Sequence, residues 1–432
     1  MTPGLRLVPV RADRVCMRPT ILIISQVYVP DPASVGQHMA DAAEEMAARG
    51  WRVLVYTSAR GYDDPGISYP RREIRNGVDV RRLPLSSFGK SSLPIRLLAQ
   101  ALFMTQAVAR GLFSQGLSRV MVSTSPPFAG AGGSLISMVR RVPLVWWVMD
   151  LNPDQLVAAG KIRPRALAVR FFDLLNRWTL RQASSVVVLD RFMRDRVLAK
   201  VPVAGKLHVM PPWPHEEHLA PPTGSNAFRA RHGLDDTFVV MYSGNHSHQN
   251  PLGTLLEASR RFASDPRVRF VFVGGGTGKA DVERLIASGA GNVVSLPYQP
   301  VETLGDSLSA ADLHVVSVGD DMVGIVHPCK IYGAMAVGRP ILLFGPEACH
   351  AGDILAGRRI GWHVRHGDVD GAERAITEAM HITADERRTM GGKARNIVDE
   401  RFSARTLRRE FCDLLEQAGP LRTAPMTNPT RP

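Results

Sequence analysis

The chain is expected to be an α/β protein of two doubly wound, Rossmann-like domains, each a parallel sheet covered by helices on both faces. Its 432 residues exceed what one ordinary core organises and suit two domains of roughly 200 residues each. A grammar of short β-branched runs alternating with helix-like stretches occurs twice along the sequence. Between the two passes, PPWPHEEHLAPP (211–222) holds five prolines in twelve residues, which stiffen the chain as a linker or hinge requires.

The first pass opens on TILIISQVYVP (Thr20–Pro30), a strand that ends in a proline-rich loop. A helix follows over His38–Arg49, with Met39, Ala42, Ala43 and Met46 on one face and Gly50 as its stop. Further strands are expected at Arg52–Thr57, Arg119–Ser123, Val142–Met149 and Ser185–Leu189. The second pass gives strands Phe238–Ser243, Val268–Val273, Val293–Leu296, Leu313–Ser317 and Pro340–Phe344, with helices Leu252–Phe262 and Lys330–Val337. The expected division is a leader 1–19, a first domain 20–213, a hinge 214–224, a second domain 225–400, a last helix within 401–420 and a disordered tail 421–432. That last helix, Ala404–Gln417, could stay with the second domain or cross back to the first. Ligands of such sheets bind beyond the strand C-terminal ends, so the expected site is the cleft between the domains.

The net charge of +13 is unevenly placed. Met1–His215 holds 29 Lys+Arg against 14 Asp+Glu, whereas the remainder is slightly acidic. An arginine-favouring genome would not spare the second half, so a nucleic-acid surface and an anionic membrane surface are the competing explanations. The basic half has no recognition motif, and its aromatics do not interleave with arginines as a stacking platform requires, which argues against nucleic acid. No apolar run of ~18 residues lacks charge, so no spanning helix is expected. Leu93–Phe113, interrupted by Arg96 and Arg110, suits either an interfacial amphipathic helix or a helix buried in the core. Arg6, Arg11, Arg14 and Arg18 precede the first strand without an apolar run, so no secretory signal is read there. Four scattered cysteines form neither a zinc pattern nor a disulfide framework and point to a reducing cytoplasm.

The segment HPCKIYGAMAVGRP (His327–Pro340) carries the strongest chemical signal. Pro328 suits a first helical turn, and a helix start offers backbone N–H groups and partial positive charge to phosphate. Lys330 lies in that turn, where its charge opposes the helix dipole. A bound diphosphate would resolve the conflict; a plain surface lysine is the bland alternative. GGGTGK (Gly274–Lys279) has GxxxGK followed by Ala280, one residue short of a phosphate loop and lacking its Ser or Thr. Gly274 and Gly275 therefore read as a tight strand-to-helix turn near the cleft. In YSGNHSHQN (Tyr242–Asn250), Gly244 and Asn245 allow a close loop, and His246 and His248 could donate to phosphate or sugar hydroxyls. No carboxylate lies near those histidines, so no metal is expected. In the first domain Gly36 marks a close approach, and Asp150 and Asp190 stand at strand ends facing the cleft, as bases or as helix caps. Neither first turn shows GxGxxG, which argues against a dinucleotide oxidoreductase.

Together these segments resemble the retaining GT-B glycosyltransferases of family 4, in particular the bacterial branch that builds exopolysaccharide, colanic-acid-type and O-antigen polymers. The resemblance runs from about Thr20 to Arg401 and is carried by STSPPFAG (Ser123–Gly130), DLNPD (Asp150–Asp154), SLPYQP (Ser295–Pro300) and HPCKIYGAMAVGRPIL with Gly345–Pro346. It implies a GT-B architecture whose second domain holds a nucleotide-sugar, a UDP-sugar, without a metal or other cofactor. Lys330 and Asp150 would be catalytic. The donor would meet Gly36, Gly244, Asn245, His246, His248, Gly274, Gly275, Tyr298, Gln299, His327, Pro328, Cys329, Lys330 and Ile331. The acceptor implied is a lipid-linked saccharide, met at the inner face of the plasma membrane by a peripheral enzyme, and the last helix would return to the first domain. Two family glutamates are replaced by Ile325 and Gly333, a basic pair by Asn245, His248 and Asn250, and a serine by Cys329. The branch with a Tyr-Gly pair after this lysine commonly lacks the second glutamate. A nucleotide-sugar 2-epimerase of the same architecture is the alternative; it would interconvert donors with no acceptor present, and it would not need a basic first domain.

Overall fold

The computed structural model describes residues 18–419 apart from 32, 62–65, 87–92, 216–218 and 220–225. The expected tail, all but two residues of the expected leader and most of the expected hinge lie outside the described residues. Eight strands form the first sheet: β1 Thr20–Ile24, β2 Arg52–Ser58, β3 Arg72–Arg75, β4 Val78–Leu83, β5 Leu117–Val122, β6 Leu144–Val148, β7 Ser185–Val188 and β8 Leu207–Val209. Six form the second: β9 Phe238–Ser243, β10 Val268–Val273, β11 Val293–Leu296, β12 Leu313–Ser317, β13 Ile341–Phe344 and β14 Gly361–Val364. Their orders are 3-4-2-1-5-6-7-8 and 11-10-9-12-13-14. All pairs are parallel except β3–β4. Each order reverses beside its first strand, between β1 and β5 and between β9 and β12, and those switch points are where such sheets open a ligand crevice.

Sequence composition explains which strands are central. TILII, LVWWV, SVVV and ILLF are buried along their whole length, as a parallel strand covered on both faces must be. β3 and β4 escape that signal because they carry the charge of a sheet edge: Arg72 and Arg81 both bind Asp79, at 2.9 and 2.7 Å. The segment 93–112 is a helix that buries Ala99, Phe103, Met104 and Ala107 in the core while Ile95 and Leu98 near its start stay exposed. No helix among the described residues is long and apolar enough to cross a membrane.

One apolar cluster runs from the first sheet through Phe402 and Phe411 to Ile331 and Tyr332, so the core continues across the domain boundary. The helix Ala404–Gln417 is part of that bridge. Leu407, Phe411 and Leu415 recur at helical spacing and are buried. Phe411 packs on Trp147 at 4.1 Å and on Trp213 at 5.9 Å between ring centres. Arg49, at the end of the helix Ser34–Ala48, binds Asp413 and Glu416, and the Trp51 indole donates to Glu416 at 2.9 Å. On the other side of the boundary, the Leu151 amide donates to the Ile325 carbonyl at 3.0 Å, and Arg191 holds Asp353 through two contacts of 2.6 and 2.8 Å. Gly324, with φ +69, lies so close to the Phe192 carbonyl that a Cβ there would meet it at 2.6 Å.

Removing the Phe411 ring leaves a void against two tryptophans. Phe411→Ala is expected to destabilise the protein by about 3–5 kcal/mol, read as a lowered denaturant midpoint monitored by tryptophan fluorescence.

Candidate functional site

A cavity of about 700 Å³ opens between the domains and is lined from the second by Ser243, Gly244, Tyr298, Gln299, Cys329, Lys330 and Gly333. Most of these end or follow a strand or stand at the start of a helix, which is why the second sheet delivers them to one place. Lys330 opens the helix Lys330–Ala336, whose residues Ile331 to Ala336 are buried and fix its position. The ammonium lies 5.5 Å from the centre of the Tyr242 ring, a cation–π contact. Among the described residues no carboxylate pairs with it. Burial pushes its pKa down to about 8, as expected of a lysine taken out of water without a counter-charge. Gly244, at φ +134, admits this side chain: a Cβ there would sit 2.3 Å from Lys330 Cε. Gly274, at φ +130, performs the same service one layer down, since its Cβ would overlap the Gly244 carbonyl.

The row of free amides expected at this helix start is shorter than the sequence suggests. The amides of Cys329, Ile331 and Tyr332 donate to the His327, Pro328 and Cys329 carbonyls in tight turns. Lys330 therefore supplies the positive charge here more than the backbone does. Pro328 and Ile331 are buried, Ile331 wholly within the core, while Cys329 is exposed to the cavity.

His327 faces elsewhere. Its Nδ1–H donates to Asp190 at 2.9 Å, its Nε2 meets the Tyr332 hydroxyl at 2.8 Å, and that hydroxyl meets His350 Nε2 at 2.9 Å. With both imidazoles neutral, Tyr332 donating to His327 and accepting from His350, every partner is satisfied. Burial pushes His350 well below the ordinary histidine value, with His327 acting in the same direction. Burial raises Asp190, but the hydrogen bond and charge of His327, the Met193 amide and His350 together outweigh it and hold the carboxyl below its usual range. Asp190 also caps the helix Arg191–Lys200 by accepting from the Met193 amide at 2.8 Å, so it is a cap and a domain contact at once. Asp190, His327 and His350 place ligand-type atoms within 4.8 Å of one another, but the hydrogen bonds just named already engage them.

The remaining expected residues divide by location. Tyr298 and Gln299 line the cavity, with Tyr298 against Gly275. Asn245 and His248 are exposed beside it. His246 points inward: it is fully buried, its amide donates to the Gly275 carbonyl at 2.7 Å, and it braces the 274–278 turn. Gly36 makes its close approach to the backbone of Tyr28, where a Cβ would meet atoms at 3.0 Å, and its neighbours Ser34, Gln37 and His38 line the cavity. Asp150 does not reach this cavity. It lines a separate small hollow with Thr124, Trp146 and Lys200, and burial pushes its carboxyl up to about 6.

Sequence reasoning missed the first-domain wall. Asp41 accepts from the Trp213 indole at 2.8 Å and from His215 at 3.1 Å, and His38 Nε2 donates to the Trp213 carbonyl at 2.9 Å. Burial, reinforced by His215, pushes His38 down to about 4. Trp213 and His215 lie in the proline-rich stretch, whose composition masks a structured start. A tryptophan and a histidine among prolines were the available signal.

Comparison with known proteins agrees with this geometry. Residues 34–213 match the model of a glycosyl transferase 4-like domain, and residues 225–397 match glycosyl transferases group 1. Over 334 residues the chain is 24% identical to the colanic acid biosynthesis glycosyl transferase WcaI of Escherichia coli, covering 74% of this chain and 81% of that one. Sucrose-phosphate synthase from Thermosynechococcus elongatus superposes with a TM-score of 0.72 at 18% identity, over 93% of this chain and 99% of that chain. The Anabaena protein HepE in complex with UDP-glucose superposes with a TM-score of 0.68 at 17% identity, over 92% and 99% of the two chains.

The Lys330 amine is expected to titrate near pH 8, well below the ordinary lysine value of 10.5, by carbon-13 NMR of the dimethylated chain. Between those values the unfolded chain keeps a proton that the folded chain has lost, so this group makes stability rise with pH in that window. Lys330→Met should remove that slope from a denaturation series run from pH 7 to 10.

Proposed function

We propose that this chain, which belongs to the family 4 glycosyltransferases of GT-B architecture, moves a sugar from a UDP-sugar to a lipid-linked saccharide with retention at the anomeric carbon. Lys330 carries the proposal: a half-buried ammonium, without a carboxylate, at the wall of an interdomain cavity. Such a group gains most from a dianionic ligand, and gains more as the departing diphosphate takes up charge, so it favours the transition state over the bound donor. The UDP-glucose complex of HepE supports the donor class. Tyr298 and Gln299 line the same cavity and would meet the base. The role of WcaI in colanic acid biosynthesis supports an acceptor belonging to a growing cell-surface polysaccharide. The positive charge at the leaving group comes from Lys330 in this mechanism, and no resident metal is invoked. Asp150, expected from the sequence to be catalytic, lines a separate small hollow and takes no step in this mechanism. The basic first half would hold the protein at the inner face of the plasma membrane.

Lys330→Ala is expected to lower turnover by about 10²–10³-fold, the cost of losing one preorganised donor at a developing charge. The assay is sugar transfer from a panel of UDP-sugars, with folding checked by circular dichroism; unchanged transfer would remove the assignment. The wild-type protein incubated with donor alone should leave it unconverted, whereas interconversion of nucleotide-sugars would identify an epimerase. Donor affinity should also weaken as pH rises through about 8, where the free Lys330 loses its charge, and Lys330→Arg should flatten that dependence.

A further inference from the structure

The helix Leu167–Gln182 buries only Thr179 and Leu180. Leu167, Phe171 and Leu174 are 81%, 54% and 63% exposed, and their i, i+4, i+7 spacing lines them along one face. An apolar stripe of this kind left in water is unusual for a surface helix and marks an interaction surface. The charges around it share one sign. Lys161, Arg163, Arg165 and Arg170 are exposed, and among the described residues none of them pairs with a carboxylate. Asp173, the one acid of the helix, is turned away and held by Arg177 and Lys200 at 2.6 and 2.7 Å. The helix Ala129–Arg140 packs alongside and adds exposed Leu135, Met138 and Val139.

We infer that the stripe Leu167, Phe171 and Leu174, with Arg163, Arg165 and Arg170, is where this chain seats itself in an anionic lipid surface. Apolar side chains inserted among acyl chains, under a ring of arginines at headgroup level, is how a helix lies in a membrane interface. A nucleic acid would use the arginines but not the stripe. A second copy of the chain would cover the stripe, yet a two-fold contact there would bring like arginine clusters face to face. The same helix carries Val169, Arg170 and Asp173 to a second interdomain hollow of about 610 Å³, closed on its other side by Asp321 and Ile325. A lipid-anchored acceptor in that surface would lie beside this hollow. Such a surface deepens the proposed acceptor class and rests on that proposal for its biological meaning, but its test does not depend on sugar transfer.

The test is co-sedimentation of the full chain with vesicles of phosphatidylcholine alone and of phosphatidylcholine with 30% phosphatidylglycerol, a composition chosen for about one anionic headgroup in three. Wild type should bind the anionic vesicles, and binding should fall at least tenfold in Leu167→Ser/Phe171→Ser/Leu174→Ser and again in Arg163→Glu/Arg165→Glu/Arg170→Glu. Thermal stabilisation by the UDP-sugar that stabilises wild type should be retained in both variants, which separates failure of this surface from failure of the donor assignment. Undiminished vesicle binding by the serine variant, equal binding to neutral vesicles, or no binding by wild type would each overturn the proposal. So would a wild-type dimer in sedimentation velocity that the serine substitutions dissociate, since the stripe would then belong to a second copy.

Discussion

A half-buried positive charge without a counter-ion constrains most of what surrounds it. Lys330 could lower its cost by meeting an aspartate, and among the described residues none is supplied. The fold instead gives it an aromatic face in Tyr242 and a channel made by the absence of a side chain at Gly244. Both neighbours belong to β9 and its turn, the first strand of the second sheet and one side of its switch point. The helix that carries the lysine is anchored by Ile331 and Tyr332 in the core that reaches across to the first domain. Fold topology and electrostatics therefore converge on one spot: the crevice that parallel sheets open by geometry is also where this chain keeps an unneutralised cation.

Tyr332 connects that spot to the domain boundary. It follows Lys330 by two residues, and its hydroxyl completes the chain from Asp190 of the first domain through His327 to His350 of the second. The bond between Asp190 and His327 forms only when the domains stand in this relation, because Asp190 comes from the far side. A change of domain angle large enough to part Asp190 from His327 would strip the buried Asp190 Oδ2 and the His327 Nδ1–H of this shared hydrogen bond, a costly outcome in a low-dielectric setting. The angle between the domains is thus coupled, through one tyrosine, to the helix that presents the lysine.

Much of this was legible in the residues. The strand runs TILII, FVVMYS and VRFVFV and the GIVHPCK turn located the sheets and their ligand-facing ends, because buried parallel strands and helix starts have strong local signatures. Gly244 and Lys330 were both singled out, though nothing local could say that one exists to admit the other. The edge strand β3 and its neighbour β4 were missed because their pattern is written in arginines and Asp79. His246 was misjudged in direction: a histidine in a glycine-bearing loop reads as a ligand contact, and only the stacking of the 274–278 turn on it shows that it faces inward. His327 reads from its position as part of a phosphate-facing helix start, but its partner Asp190 is 137 residues away. The wall built by His38, Asp41, Trp213 and His215 could not be found locally, since it forms only when the end of the first domain folds onto its first helix.

The return of the helix Ala404–Gln417 to the first domain bears on how the protein is made. A ribosome releases the first sheet early, but Trp147 and Trp213 cannot be fully covered until Phe411 emerges, after the second domain. The first domain must wait with an apolar seam open while the entire second domain is translated. A chain lacking the helix Ala404–Gln417 would present that seam permanently, so its loss would be felt as a folding and quality-control defect, far from the cleft where the chemistry is proposed to occur.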